Sequence, residues 1–172
     1  MGEREVYGLE ERAGGAPDPD RLAFRRALSQ YPTGVTVVTA LATDGAPMGI
    51  TVNSFASVSL HPPLILWSLG EDNANAADFR EAGDFAVNVL AADQEDIARR
   101  FARSEDQPFA DAFRDRGLGG VPLLGDALSI FECRRETIYP GGDHTILIGR
   151  VRRFSARPGR PLVFHEGGFT AL

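Results

Sequence analysis

The sequence predicts a mainly β chain: an antiparallel barrel with a few short α-helices inserted. Three observations carry that expectation. β-Branched and apolar runs recur between clusters of turn residues, and the first of these runs pair as hairpins. Helical stretches do not alternate regularly with strands, as a doubly wound sheet requires. With 172 residues, 43% apolar and 24% charged, the chain has the profile of one globular domain with a sizeable core.

Residues 1–18 mix Gly, Glu, Arg and Pro without periodicity and read as a flexible arm, leaving 19–172 as the domain. Asp18 is suited to an N-cap and Pro19 to the first helical position. Phe24, Ala27, Leu28 and Tyr31 then repeat with helical spacing, and Pro32 closes the helix. From Val35 to Leu41 the pattern turns to β. Asp44-Gly45 marks a hairpin turn and Met48 to Val52 the returning strand. Phe55 to Leu60 alternates small polar with apolar residues, and after Pro62-Pro63 the run Leu64 to Trp67 reads as a buried strand. A short helix capped by Asn73 or Asn75 ends near Gly83, and Phe85 to Leu90 is again a strand. Asp93 is expected to cap a helix through Phe101. Segment 103–126, rich in Gly, Asp and Pro, reads as a long excursion. Leu128–Ile138 and His144–Phe154 form a long hairpin about a Pro140-Gly141-Gly142 turn, and Leu162–His165 adds a last strand. The expected count is about eight strands and three short helices.

Composition excludes several chemistries. All 18 basic residues are arginine, so no ε-amine is available for a Schiff base or a P-loop. Any phosphate must rest on arginine, amide, hydroxyl or backbone N–H groups. The net charge of −6 and the scattered arginines argue against nucleic-acid binding. Cys133, the one cysteine, leaves no disulfide and suits a reducing compartment. The charged start Met1 to Tyr7 has no signal-peptide core, and no run is long enough to span a bilayer, so a cytoplasmic protein without membrane attachment is expected. His61, His144 and His165 lack metal-binding spacing, so no metal site is expected. No G-x-G-x-x-G or G-x-S-x-G motif is present.

Three segments can carry chemistry. Gly49 to Ser59 places Thr51, Asn53, Ser54, Ser57 and Ser59 in an otherwise apolar strand–turn–strand, with Ser57 and Ser59 expected on one face. Buried, these groups need partners that a planar ring rich in heteroatoms supplies; in water, the same residues suit an edge strand and an Asx turn. Ser68 to Asn75 brings amide side chains to a helix start, which serves N-capping or a phosphate, although Glu71 and Asp72 oppose an anion. Gly141 to Thr145 joins paired glycines to His144, which suits either a plain hairpin turn or close approach to a ligand.

Taken in order, the segments resemble the flavin reductase family with the FMN-binding split barrel, the reductase components of two-component flavin-dependent monooxygenases. The residues carrying the resemblance are Phe24-Arg25, Tyr31 to Thr39, Gly49 to Leu60, Pro62 to Leu64, Phe85 to Leu90, Gln94, Phe101-Ala102, Pro122 to Leu124, Gly142 to Thr145 and Gly149 to Val151. The resemblance implies a homodimeric Greek-key split barrel that reduces FMN or FAD with NADH or NADPH and feeds a partner monooxygenase. It implies that Thr51, Asn53 and Ser54 contact the isoalloxazine and ribityl region, that Val52 also belongs to the cofactor site, and that Ala56, Ser57 and Val58 lie beside them. Asn73 and Asn75 fall in the flavin-phosphate segment, Phe101 and Ala102 lie near the same cofactor, and His144 positions the nicotinamide. Arg80 and Arg100 are the nearest arginines for the phosphate. Phe169 stands where many relatives carry a tyrosine. Two other functions remain as alternatives: a tightly bound flavin acting on another substrate, and a flavin- or haem-binding module without turnover.

Overall fold

The computed structural model describes residues 19–103 and 111–171; the expected arm 1–18 and the Asp18 cap lie outside them. Helix α1 spans Pro19–Ser29 and is followed by strand β1, Thr33–Gly34. The hairpin β2 (Thr36–Leu41) and β3 (Pro47–Val52) turns at Gly45, whose φ of 85° only glycine adopts easily, while Asp44 Oδ1 accepts the Ala46 N–H at 2.8 Å. β4 (Ala56–Leu60) and β5 (Pro63–Gly70) form the next hairpin, then come α2 (Ala76–Glu81), β6 (Asp84–Val89) and α3 (Glu95–Phe101). The described part of the excursion holds a small hairpin, β7 (Phe113–Arg116) and β8 (Pro122–Leu124), joined by a 3-10 turn at Leu118–Gly120. β9 (Ser129–Gly141) and β10 (His144–Ala156) make the long hairpin, and β11 (Leu162–His165) pairs with β12 (Gly168–Ala171).

Among the described residues twelve strands replace the expected eight, because the sequence pattern passes over two-, three- and four-residue strands. Among these, β12 follows a turn at Glu166 and Gly167, both at positive φ. The β9–β10 turn is tighter than expected: Pro140 and Gly141 belong to β9, with Pro140 opposite Thr145, and only Gly142-Asp143 connects the strands. Helix α3 starts after Gln94, not after Asp93. Gln94 Oε1 accepts the Ala91 N–H at 2.9 Å and its Nε2 donates to the Gly125 carbonyl at 2.8 Å, so this amide fixes the approach to the helix.

Seven strands form one antiparallel sheet in the order β3-β2-β6-β9-β10-β5-β4. The β9–β10 hairpin sits between β6 and β5, a Greek-key arrangement. Among the described residues β3 and β4 are the two edges, so the sheet is not closed into a barrel by hydrogen bonds; it is open between Val52 and Ala56.

Both faces of β2 are buried, which explains its unbroken β-branched run. Val38 and Ala40 pack with Trp67, Phe79, Phe85 and Leu147 on one face. Val35 and Val37 pack with Ala98, Phe101, Leu124 and Leu162 on the other. Trp67 is fully buried and meets Phe79 and Phe85 edge-on at 5.5 and 6.0 Å. The buried Asn88 donates to the Val37 carbonyl and to Thr39 and accepts the Leu124 N–H, tying β8 to β2. With both cores closed by these elements, the apolar stripe of α1 is left outside: Phe24 and Leu28 are 48% and 58% exposed, and Tyr31, just past the helix, is 77% exposed. No helix among the described residues is long and apolar enough to cross a membrane.

Candidate functional site

The opening between the two sheet edges gathers the first group of candidate residues. Thr51 faces α3, where its hydroxyl donates to the Ala98 carbonyl at 2.7 Å. Beside it a Cβ on Gly49 would lie 2.4 Å from Phe101 Cε1, so the absent side chain is what lets α3 rest on β3. Phe101 is buried there, and the exposed Ala102 ends the helix. Val52 points the other way into the core, and its carbonyl accepts the Thr36 hydroxyl at 3.1 Å. Asn53 is exposed at the end of β3. Ser54 closes the crossing to β5: its Oγ accepts the Ser68 N–H at 2.9 Å and donates to the Ser68 carbonyl at 3.3 Å.

Ala56, Ser57 and Val58 are exposed on the edge strand β4. A bulge at Val58 sets Ser57 opposite Ile65 and Ser59 opposite Leu64, so the two serines take opposite faces instead of the shared face that simple alternation predicts. Asn53 and Ser57 are both exposed, and neither side chain hydrogen-bonds another of the described residues. No strand among the described residues pairs with the outer backbone groups of β4.

The second group lies two residues further along β5 from Ser68, roughly 7 Å of strand. Here Gly70 is opposite His144. A Cβ on Gly70 would lie 2.9 Å from Asp72 Oδ1 and 3.8 Å from His144 Nε2, so the imidazole edge lies beside the bare glycine. His144 Nδ1 is 2.7 Å from Asp143 Oδ1, a contact that holds the Asp143 carboxyl below its usual range. Asn73 Oδ1 accepts the Asn75 N–H at 2.9 Å, and Asn75 occupies the N-cap of α2 without spending its side chain on the cap.

Sequence reasoning missed the role of Glu71 and Thr145. Thr145 is only 7% exposed, and its hydroxyl donates to Glu71 Oε1, while Arg80 pairs with Glu71 Oε2. The Thr145 hydroxyl and then Arg80 hold the Glu71 carboxyl below its usual range. The signal available in sequence was a threonine two residues into an apolar strand, which needs an acceptor once buried. Both arginines considered for a phosphate are already engaged by carboxylates, Arg80 with Glu71 and Arg100 with Asp111. The amides of Asn73 and Asn75 are therefore the better candidates.

The unspent amide and hydroxyl groups fit a flat ligand rich in hydrogen-bonding atoms, such as a flavin, better than a metal; no cluster of metal-binding side chains occurs among the described residues. Comparisons with known proteins agree. The chain is 48% identical over 147 residues to the FMN reductase (NADH) SmoA of Agrobacterium fabrum, covering 86% of this chain and 83% of that one. It is 39% identical over 146 residues to the reductase component of a flavin-dependent trigonelline monooxygenase of Acinetobacter baylyi, covering 85% of this chain but only 47% of that longer protein. The Streptomyces globisporus NADH:FAD oxidoreductase SgcE6, solved in complex with NAD and FAD fragments, superposes with a TM-score of 0.80 at 41% identity, covering 91% and 96% of the two chains. Residues 28–172 match the model of the flavin reductase like domain, and the chain belongs to that family.

Proposed function

We propose that this chain is an NAD(P)H-dependent flavin reductase that passes a hydride from the nicotinamide to FMN or FAD and supplies reduced flavin to a partner monooxygenase. The observation that carries the reading is the opening between β3 and β4, where the exposed Asn53 and Ser57 flank two strand edges that no described strand covers. A bound flavin supplies the hydride acceptor, so no side chain has to act as acid or base in the transfer itself. The protein's work is to bind, orient and exclude water.

In this reading Asn53, Ser54 and Ser57 meet the polar edge of the ring, and Val52, Ala56 and Val58 shape the walls beside it. Thr51 acts through its bond to α3, which seats Phe101 and Ala102 against the cofactor. Asn73 and Asn75 hold the flavin phosphate, and His144 orients the nicotinamide. Residues 19–172 form the single split-barrel domain. The chain works as a homodimer in the cytoplasm; the exposed apolar stripe of α1 and the exposed Val58 and Leu60 on β4 support the dimer.

The test is NADH and NADPH consumption by the purified chain as FMN or FAD is added. The expected result is a saturable dependence on added flavin. Turnover independent of added flavin would indicate a tightly held prosthetic group, and no turnover with either nucleotide would refute the reductase reading.

A further inference from the structure

We infer that Glu71 is a positioning residue that ties the His144 turn to the Asn73–Asn75 loop, setting the nicotinamide end of the site against the phosphate end. The inference rests on the reductase reading for its consequence, though not for its geometry. Glu71 reaches β10 twice. Its backbone N–H donates to the Asp143 carbonyl at 3.0 Å, and its carboxylate accepts the Thr145 hydroxyl, so both neighbours of His144 are held. The second carboxylate oxygen takes the guanidinium of Arg80, in the last turn of α2. One side chain therefore spans from β10 to the helix that follows Asn75.

The surroundings make the tie directional. Thr145 is buried, so its hydroxyl has to find an acceptor inside the fold, and Glu71 is the one it finds. Asn73 is bound back to the same loop, its N–H donating to the Gly70 carbonyl at 3.2 Å. His144 is opposite Gly70 across the strands, with its Nε2 beside that glycine, which immediately precedes Glu71 in the chain. A shift of Glu71 thus reaches His144 both through Gly70 and through Asp143 and Thr145. Arg80 also offsets the negative charge that the sequence places beside the phosphate segment, so Glu71 need not repel an anion held by Asn73 and Asn75.

The test compares Glu71→Ala, Thr145→Val and Thr145→Ser with wild type. In the ligand-free protein, Glu71→Ala and Thr145→Val are expected to shift or broaden the His144 ring resonances in NMR, while Thr145→Ser, which keeps the donor, leaves them in place. In turnover, the first two are expected to raise KM for NADH about fivefold to tenfold with kcat within about twofold, the size expected when one net hydrogen bond that orients the ring is lost. Adding His144→Ala to Glu71→Ala should raise KM no further than His144→Ala alone. Unchanged ring resonances in both variants would overturn the tie, whatever the activity. Ring resonances that move while KM stays unchanged would overturn the positioning role. Absence of turnover in wild type would instead count against the reductase reading. Should Glu71→Ala fail to fold, the Thr145→Val and Thr145→Ser pair decides the question alone.

Discussion

Replacing Gly49 by alanine puts a methyl group where the ring of Phe101 already lies. The added Cβ would stand 2.4 and 2.6 Å from Phe101 Cε1 and Cδ1, against an ordinary carbon–carbon separation of about 3.5–4.0 Å. Something must retreat by roughly 1 Å or more. Phe101 is 2% exposed and packs in the cluster of Val37, Ala98 and Leu124, so the ring has little room to turn. Overpacking of this kind costs about 1–3 kcal/mol. For a domain of this size that lowers Tm by about 2–12 °C. The helix that is pushed away also carries Ala98, which holds Thr51, so the side of the opening proposed for the flavin is distorted with it. Gly149→Ala serves as the comparison. Its Cβ would meet Phe85 Cζ at 2.4 Å in the core on the other side of β2, and should destabilise the fold to a similar degree. Thermal melts and quenching of flavin fluorescence on binding measure the two effects. Gly49→Ala should weaken flavin binding about tenfold or more, well beyond Gly149→Ala. Equal flavin affinities at matched loss of Tm would refute the placement of the cofactor beside α3.

Three further outcomes follow from the same geometry. His144→Ala should raise KM for the nicotinamide nucleotide with little change in kcat; unchanged kinetics would remove His144 from the site. Leu28→Asp, on the exposed stripe of α1, should convert a dimer to monomers in light-scattering chromatography, and a dimer that survives the change would place the interface elsewhere. Burial, reinforced by the charge of Glu132, pushes the Cys133 thiol from 9.0 up to about 12. The folded chain keeps this proton where the unfolded chain has lost it, so the stabilisation is complete below about pH 9 and is lost as pH rises towards 12. Wild type should therefore lose up to about 1.4 kcal/mol per pH unit relative to Cys133→Ala across that window, read from urea midpoints; parallel pH profiles would show the thiol is not so shielded.

Much of the fold was legible because period and turn chemistry agree. The β-branched run of β2, Asp44-Gly45 and the apolar run of β5 each specify one local answer, and the structure adopts it. What the sequence did not convey depends on long-range contact. The stripe on α1 has helical spacing, but spacing cannot say whether the face meets this chain's core or another surface. The bulge at Val58 reverses the expected relation of Ser57 and Ser59 because register, not composition, sets which face a residue takes. Residue types brought Thr51, Ser54 and His144 to notice, yet the partners of the first two, Ala98 and Ser68, lie 47 and 14 residues away. Glu71 read as a charge unfavourable to phosphate until its bonds to Thr145 and Arg80 came into view.

The central claim is hydride transfer from a nicotinamide to a flavin on this protein, and anaerobic mixing tests it most directly. With stoichiometric FMN or FAD and the purified chain under nitrogen, NADH should bleach the flavin absorbance, with one nucleotide oxidised per flavin reduced and no bleaching on that timescale without the protein. Flavin that binds yet keeps its colour with both NADH and NADPH would contradict the account and leave a binding module without turnover.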